Sequence, residues 1–194
     1  MGLTIHYSQG KAKNRLKIDN CIAFLEDVAR RLPCENNLID ETLTGLLDNS
    51  VVTVHQKGVI LFLDEGSEPL TFVFDYDSLE FCQYFNFGND GTIDKSGFFC
   101  KTQYAKNFLR THHTACKLLE TIKREYVRGL RVVDDAEYFG DWNKIKLEKT
   151  FERWNNIIVN FAETLNQLTE ESGLKFEGAG VELYKDQKLR KLFN

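Results

Sequence analysis

Apolar residues recur along this chain in two rhythms, and the changes between them mark out its elements. At the start, Leu3, Ile5 and Tyr7 alternate with Thr4, His6 and Ser8, the two-residue period of a half-buried strand. From Leu16 to Leu32 the spacing becomes helical through Ile18, Ile22, Leu25 and Ala29, and Pro33 ends the run by withholding the next N–H donor. Residues 43–104 read as strands: VVTVH, VILFLD, LTFVFDYD and a Phe-rich run to Phe87, with QKG and EGSEP as turns and FFCKTQY as the last strand. A second helix is expected over 105–127, with Phe108, His112, Ala115, Leu119, Ile122 and Tyr126 on one face. That spacing commits His112 to the core.

After Gly129 comes a strand around LRVVD, then the polar turn DAEYFGDW and a third helix over 144–168. Its stripe runs through Leu147, Phe151, Trp154, Ile158, Phe161, Leu165 and Leu168, and Asn143 or Asp141 can cap it. At 1.5 Å per residue such a helix is about 37 Å long and is expected to cross the whole sheet. These elements predict an α+β fold: a mostly antiparallel sheet of about six strands, with three amphipathic helices packed on one face. One domain is expected over residues 1–171, followed by a Gly-punctuated, basic appendage over 172–194.

Composition adds the compartment. The five cysteines are scattered without a CxxC pair, the N-terminus lacks the pattern of a signal peptide, and no run of apolar residues is long enough for a membrane span. A cytoplasmic location is expected. Gly2 does not make a myristoylation signal, because His6 stands where Ser or Thr is needed. Charge is uneven within the net −4: residues 35–96 hold twelve acids against Lys57 and Lys95, while the remainder is basic. Acids in strand regions keep edges from pairing, and they also select basic partners.

Candidate chemistry gathers around the second helix. If strands 98–104 and 129–135 pair in parallel through this helical crossover, their carboxyl ends bring Lys101, Gln103, Asp134, Asp135 and Glu137 to one sheet edge. His113 lies beside them with Leu109 and Cys116. Adjacent helical positions point about 100° apart, so His112 and His113 cannot share one ion, and neither HxxxH nor HxH occurs. No metal and no cofactor is expected. The loop at 86–97 lacks the first acid and the final Glu of a calcium loop. GxGxxG, GxxxxGK[ST] and GxSxG are absent, and the basic residues of the second helix are interrupted by Glu120 and Glu125. Nucleic acid is not expected as a partner.

The opening LTIHY, the KTQYA after a strand, the LLETI of the helix and the VVDDAEYFGDW turn together resemble an uncharacterised family of conserved hypothetical bacterial proteins, over Leu3 to about Leu168. Family members favour Trp where this chain has Phe139. The resemblance implies a bacterial protein but carries no activity and assigns no role to any residue.

The leading expectation is a non-enzymatic binding or regulatory protein, of the immunity- or defence-associated kind, that meets a basic protein partner through an acidic sheet face or edge. The alternative is a hydrolytic or nucleotide-directed enzyme with its cleft at Lys101, Gln103, Asp134, Asp135 and Glu137.

Overall fold

The computed structural model describes residues 2–32, 34–47, 50–87 and 93–172. The chain divides into two compact units, 1–147 and 148–194. The expected appendage lies outside the described residues, apart from Ser172.

Within the first unit, β1 (Thr4–Ser8) is the middle strand of a ladder flanked by β9 (Phe99–Lys101) and β11 (Arg131–Asp134), antiparallel to both. This corrects the expected direct pairing of the last two. They do run in the same direction, but β1 is inserted between them. The reason is its pattern: Leu3, Ile5 and Tyr7 are almost completely buried, and a strand with that demand takes the centre. Register puts Ile5, Cys100 and Asp134 in one row on the covered face. On the other face lie His6, Phe99 and Val133, the last two about half exposed.

The single six-stranded sheet is also replaced. Strands β3 (Glu35–Leu47), β4 (Ser50–Phe62), β5 (Leu70–Asp75) and β6 (Phe81–Cys82) form a second antiparallel sheet in that order. Two short ladders join β2 (Lys11–Ala12) to β10 (Val127–Arg128), and β7 (Tyr84–Phe87) to β8 (Ile93–Ser96). The two larger sheets meet where Tyr7 Oη accepts from Thr71 N at 2.9 Å and Lys101 O accepts from Glu68 N at 2.9 Å.

QKG is not a turn, since β4 runs straight through it. Gly58 is needed there because a Cβ would run into the Phe72 carbonyl of β5. Strand β3 starts earlier than expected, at Glu35. Its first residues, ENNLIDE, are exposed or half-exposed, so burial imposed no alternation for a sequence reading to detect.

Helix α1 (Arg15–Arg31) is capped by Asn14, whose side chain accepts from Lys17 N, and it buries Ile18, Cys21, Ile22, Leu25 and Ala29. It packs on β4, with Lys57 Nζ donating to Asp19 at 2.8 Å. That bond is the main cause that lowers Asp19 and raises Lys57 from their ordinary values. Helix α2 (Phe108–Glu125) starts at the Asn107 cap and buries Phe108, His112, Ala115, Leu119 and Ile122. His112 reaches Asp134, so α2 covers the Ile5–Cys100 face. Helix α3 (Lys144–Ser172) begins where Asn143 accepts from Lys146 N at 3.1 Å.

In the second unit α3 carries Ile157 and Phe161, both exposed. No described helix is long and apolar enough to cross a membrane.

Candidate functional site

The carboxyl ends of β9 and β11 lie at the same end of the ladder, on either side of Thr4. Lys101 is the register partner of Thr4, and Asp135 N donates to Thr4 O at 3.1 Å. The candidate side chains thus share one neighbourhood, yet most bond to the protein itself. Gln103 is buried and its Oε1 accepts from Leu3 N at 2.7 Å. The Lys101 ammonium sits 5.4 Å from the centre of the Tyr104 ring. Asp135 accepts from Thr4 N at 3.3 Å and lies 3.7 Å from His6. Glu137 pairs with Lys146 at 2.8 Å, and that bond is the chief cause holding its carboxyl below the usual range.

Asp134 is the hub. Its side chain is 2% exposed. Oδ2 accepts from Tyr138 N and Phe139 N at 2.9 Å and from His112 Nε2 at 3.1 Å, while Oδ1 accepts from Ala136 N at 2.9 Å. Burial by itself would raise this carboxyl, but the His112 bond and charge and the backbone donors outweigh it, and Asp134 is held below its ordinary value. The same bonds fix a turn in which Glu137, Gly140 and Trp142 all take positive φ, a conformation that non-glycine residues adopt only when the surroundings impose it.

His112 is fully buried between two partners. A carboxylate can only accept, so Nε2 carries the proton, and in the neutral ring Nδ1 accepts from the Thr102 hydroxyl at 2.7 Å. Hydroxyl, imidazole and carboxylate therefore line up as in a nucleophile–base–orienter relay. Thr102 and His112 are both wholly inaccessible, however.

The expected absence of metal-ligand geometry also changes in space. His112, Cys116 and Asp134 bring ligand atoms within 4.8 Å of one another. Binding an ion there would require the other His112 tautomer and a thiolate. Burial, then the Asp134 charge, push the Cys116 thiol well above its ordinary value, which opposes the thiolate.

His113 shares a 2.6 Å hydrogen bond with Tyr138 Oη through Nδ1. Its pKa is lowered, first by burial and then by the charges of Lys144 and Lys117. Tyr138 and Trp142 meet edge to face at 5.4 Å, and the Lys117 ammonium lies 3.6 Å from the Trp142 ring centre. The turn is thereby clamped to α2 by aromatic and cation–π contacts.

Sequence spacing brought His113, Asp134 and Glu137 into one region. It did not find Thr102, Cys116 or Tyr138 as partners, because each is joined across elements. Cys116 follows His112 by four positions, and this HxxxC pair was the one local signal available.

No protein-family model matches the chain, and neither the curated proteins nor the solved structures contain a match to it.

Proposed function

We propose that this chain is a non-enzymatic binding protein that takes an extended, basic segment of a protein partner along the free edge of β3. The observation that carries the reading is the edge itself. β3 pairs with β4 through thirteen residue pairs in unbroken register, from Glu35↔Phe62 to Leu47↔Ser50, and no other strand forms a ladder with it among the described residues, although β8 lies against it and Tyr84 of β7 hydrogen-bonds to Glu41. Protein edges of this length are usually blunted by charged side chains, Pro or a bulge. β3 contains no Lys, no Pro and no bulge, and its charges are the acids Glu35, Asp40 and Glu41, which repel another acidic edge but not a basic segment.

Two further features favour an added strand. β5 pairs with β4 only over Gln56–Leu61, so beyond that point β3 and β4 continue as a two-stranded ribbon, which is marginal alone. Val51 is 73% exposed on the ribbon and Leu38 56% exposed nearer the start of β3, and alternate side chains of that kind provide specificity in strand addition. Exposed acids on β3 favour a basic partner: Glu35, and Asp40, which holds His55 at 3.1 Å and lies 3.8 Å from Lys57 but keeps most of its side chain in solvent. They also disfavour a second copy, since antiparallel self-pairing near Glu41 would set acids against acids. Many other acids of the 35–96 region are bound internally: Asp64 accepts from Asn107 N, Thr111 Oγ1 and Glu65 N, and Glu68 from Lys101 N. The edge, rather than the whole acidic region, is therefore the docking element.

The cytoplasm is the compartment we infer, because the described cysteines are all free and disulfides are rare there. The bacterial immunity or defence role expected from the sequence fits such a module.

The enzymatic alternative rests on the Thr102–His112–Asp134 relay. It is weaker, because a substrate would have to reach atoms that are buried and already bonded. Fluorescence anisotropy with a synthetic peptide alternating Val and Lys tests the main reading. Replacing Glu35 and Asp40 with Lys should weaken binding by about tenfold or more. Unchanged affinity would remove the β3 edge from consideration.

A further inference from the structure

The β2–β10 ladder, the start of α1 and the end of α2 line a cleft of about 660 Å³, within the size range of small-ligand sites. Its walls are cationic. Lys11, Lys13, Lys17, Lys123, Arg124 and Arg128 all line it, against the single carboxylate of Glu125. They come from separate stretches of a chain whose net charge is −4. Glu125 is already paired with Arg124 at 2.6 Å. Lys11, Lys13, Lys123 and Arg128 have no carboxylate within ion-pair distance among the described residues.

The register makes this arrangement costly for the free protein. Lys11 and Arg128 are cross-strand partners, and like charges opposite one another in an antiparallel pair destabilise it; Glu80, which bridges Lys11 from its other edge, offsets only part of this. A surface needing only solubility would intersperse both signs. An anion between the two side chains would turn that repulsion into attraction.

We propose that this cleft binds a compact anion carrying two or more phosphate groups. Several features narrow the ligand to this class. Ala12 and Val127 are buried and pin the ladder to the core, while Lys11 and Arg128 of the adjacent row point to its exposed face, so the cations are held at fixed positions around one concavity. Tyr126 offers no free ring face to a nucleobase, because it stacks on Phe24 at 5.8 Å and carries the Lys17 ammonium 5.6 Å from its centre. Recognition therefore acts on phosphate rather than on a base. The carboxyl end of α2 faces the same cleft and would oppose an anion, but Lys17 Nζ caps the Glu125 carbonyl at 3.0 Å. An extended polyanion fits less well, since the cations surround one concavity and the chain as a whole is acidic.

Isothermal titration calorimetry with inorganic tripolyphosphate, with adenosine as the uncharged comparison, tests the site on the full chain. Tripolyphosphate should bind and adenosine should not. Lys11→Gln with Arg128→Gln should weaken tripolyphosphate binding by about tenfold or more. Arg30→Gln with Arg31→Gln, an equal charge change elsewhere on the exposed surface, should leave affinity within about twofold.

Absence of tripolyphosphate binding would overturn the proposal, as would equal weakening by both double variants, which would mean attraction by net charge alone. Single-stranded RNA or phosphatidylserine vesicles binding where tripolyphosphate does not would assign the cleft to a macromolecular surface and also overturn it.

Discussion

Replacing Asp134 with Asn changes almost no volume but removes the charge on which the turn after β11 is built. The carboxylate accepts four hydrogen bonds, three from backbone N–H groups and one from His112. An amide has one accepting oxygen. If that oxygen takes the position of Oδ2, the amide nitrogen faces Ala136 N–H, and one buried donor is left without an acceptor at a cost of about 1–3 kcal/mol. The bonds to His112, Tyr138 and Phe139 also change from charge-assisted to neutral, each losing about 1 kcal/mol. Allowing for partial relaxation, the substitution should cost about 3–5 kcal/mol. Total stability of a domain is about 5–15 kcal/mol, so the loss should be plain in urea denaturation.

The effect has a pH signature. Asp134 is depressed below its ordinary value of 3.8 in the folded state. Its contribution is therefore present above the unfolded value and is lost as pH falls through the folded one. The gap between wild type and Asp134→Asn should narrow in acid. A loss under about 1 kcal/mol at neutral pH would refute the reasoning. So would a stable variant that has lost a measurable activity, which is the result expected of a catalytic carboxylate.

Other expectations follow from single contacts. Thr102→Val removes the partner of His112 Nδ1 and should cost about 1–3 kcal/mol by urea denaturation. In a double-mutant cycle it should couple to Asp134→Asn, since both act on one imidazole. His113 is depressed below 6.5, so its contribution is present above that value and lost as pH falls through the folded one. His113→Gln should flatten the melting temperature against pH just below 6.5, and an unchanged profile would contradict the assigned burial. Gly58→Ala should destabilise by about 1–3 kcal/mol through collision with the Phe72 carbonyl. Burial pushes the Cys21 and Cys100 thiols up to about 12. In iodoacetamide labelling at neutral pH, half-exposed Cys34 should therefore react first and those two only on unfolding.

Elements that bury a stripe were readable from sequence. All three helices lie within a few residues of their expected bounds, because each needs apolar positions at three- and four-residue spacing and ends at an Asn cap or before Pro33. β1 was readable for the same reason, through Leu3, Ile5 and Tyr7. Its place between β9 and β11 was not, since alternation describes one strand's two faces and says nothing of its neighbours. β3 was half missed because an exposed edge has little apolar pattern to display. Asp134 could be assigned to a turn, but its bond to His112 depends on α2 crossing over β1. The cationic cleft was hidden for a similar reason: Lys11 and Arg128 become neighbours only through the β2–β10 ladder.

The central claim is that β3 is a docking edge, and backbone hydrogen exchange measured with and without the Val/Lys peptide tests it most directly. Amides of residues 35–47 that point away from β4 should exchange rapidly in the free protein and slow by about tenfold or more when the peptide is bound. Protection that appears elsewhere while β3 continues to exchange rapidly in the bound state would contradict the account.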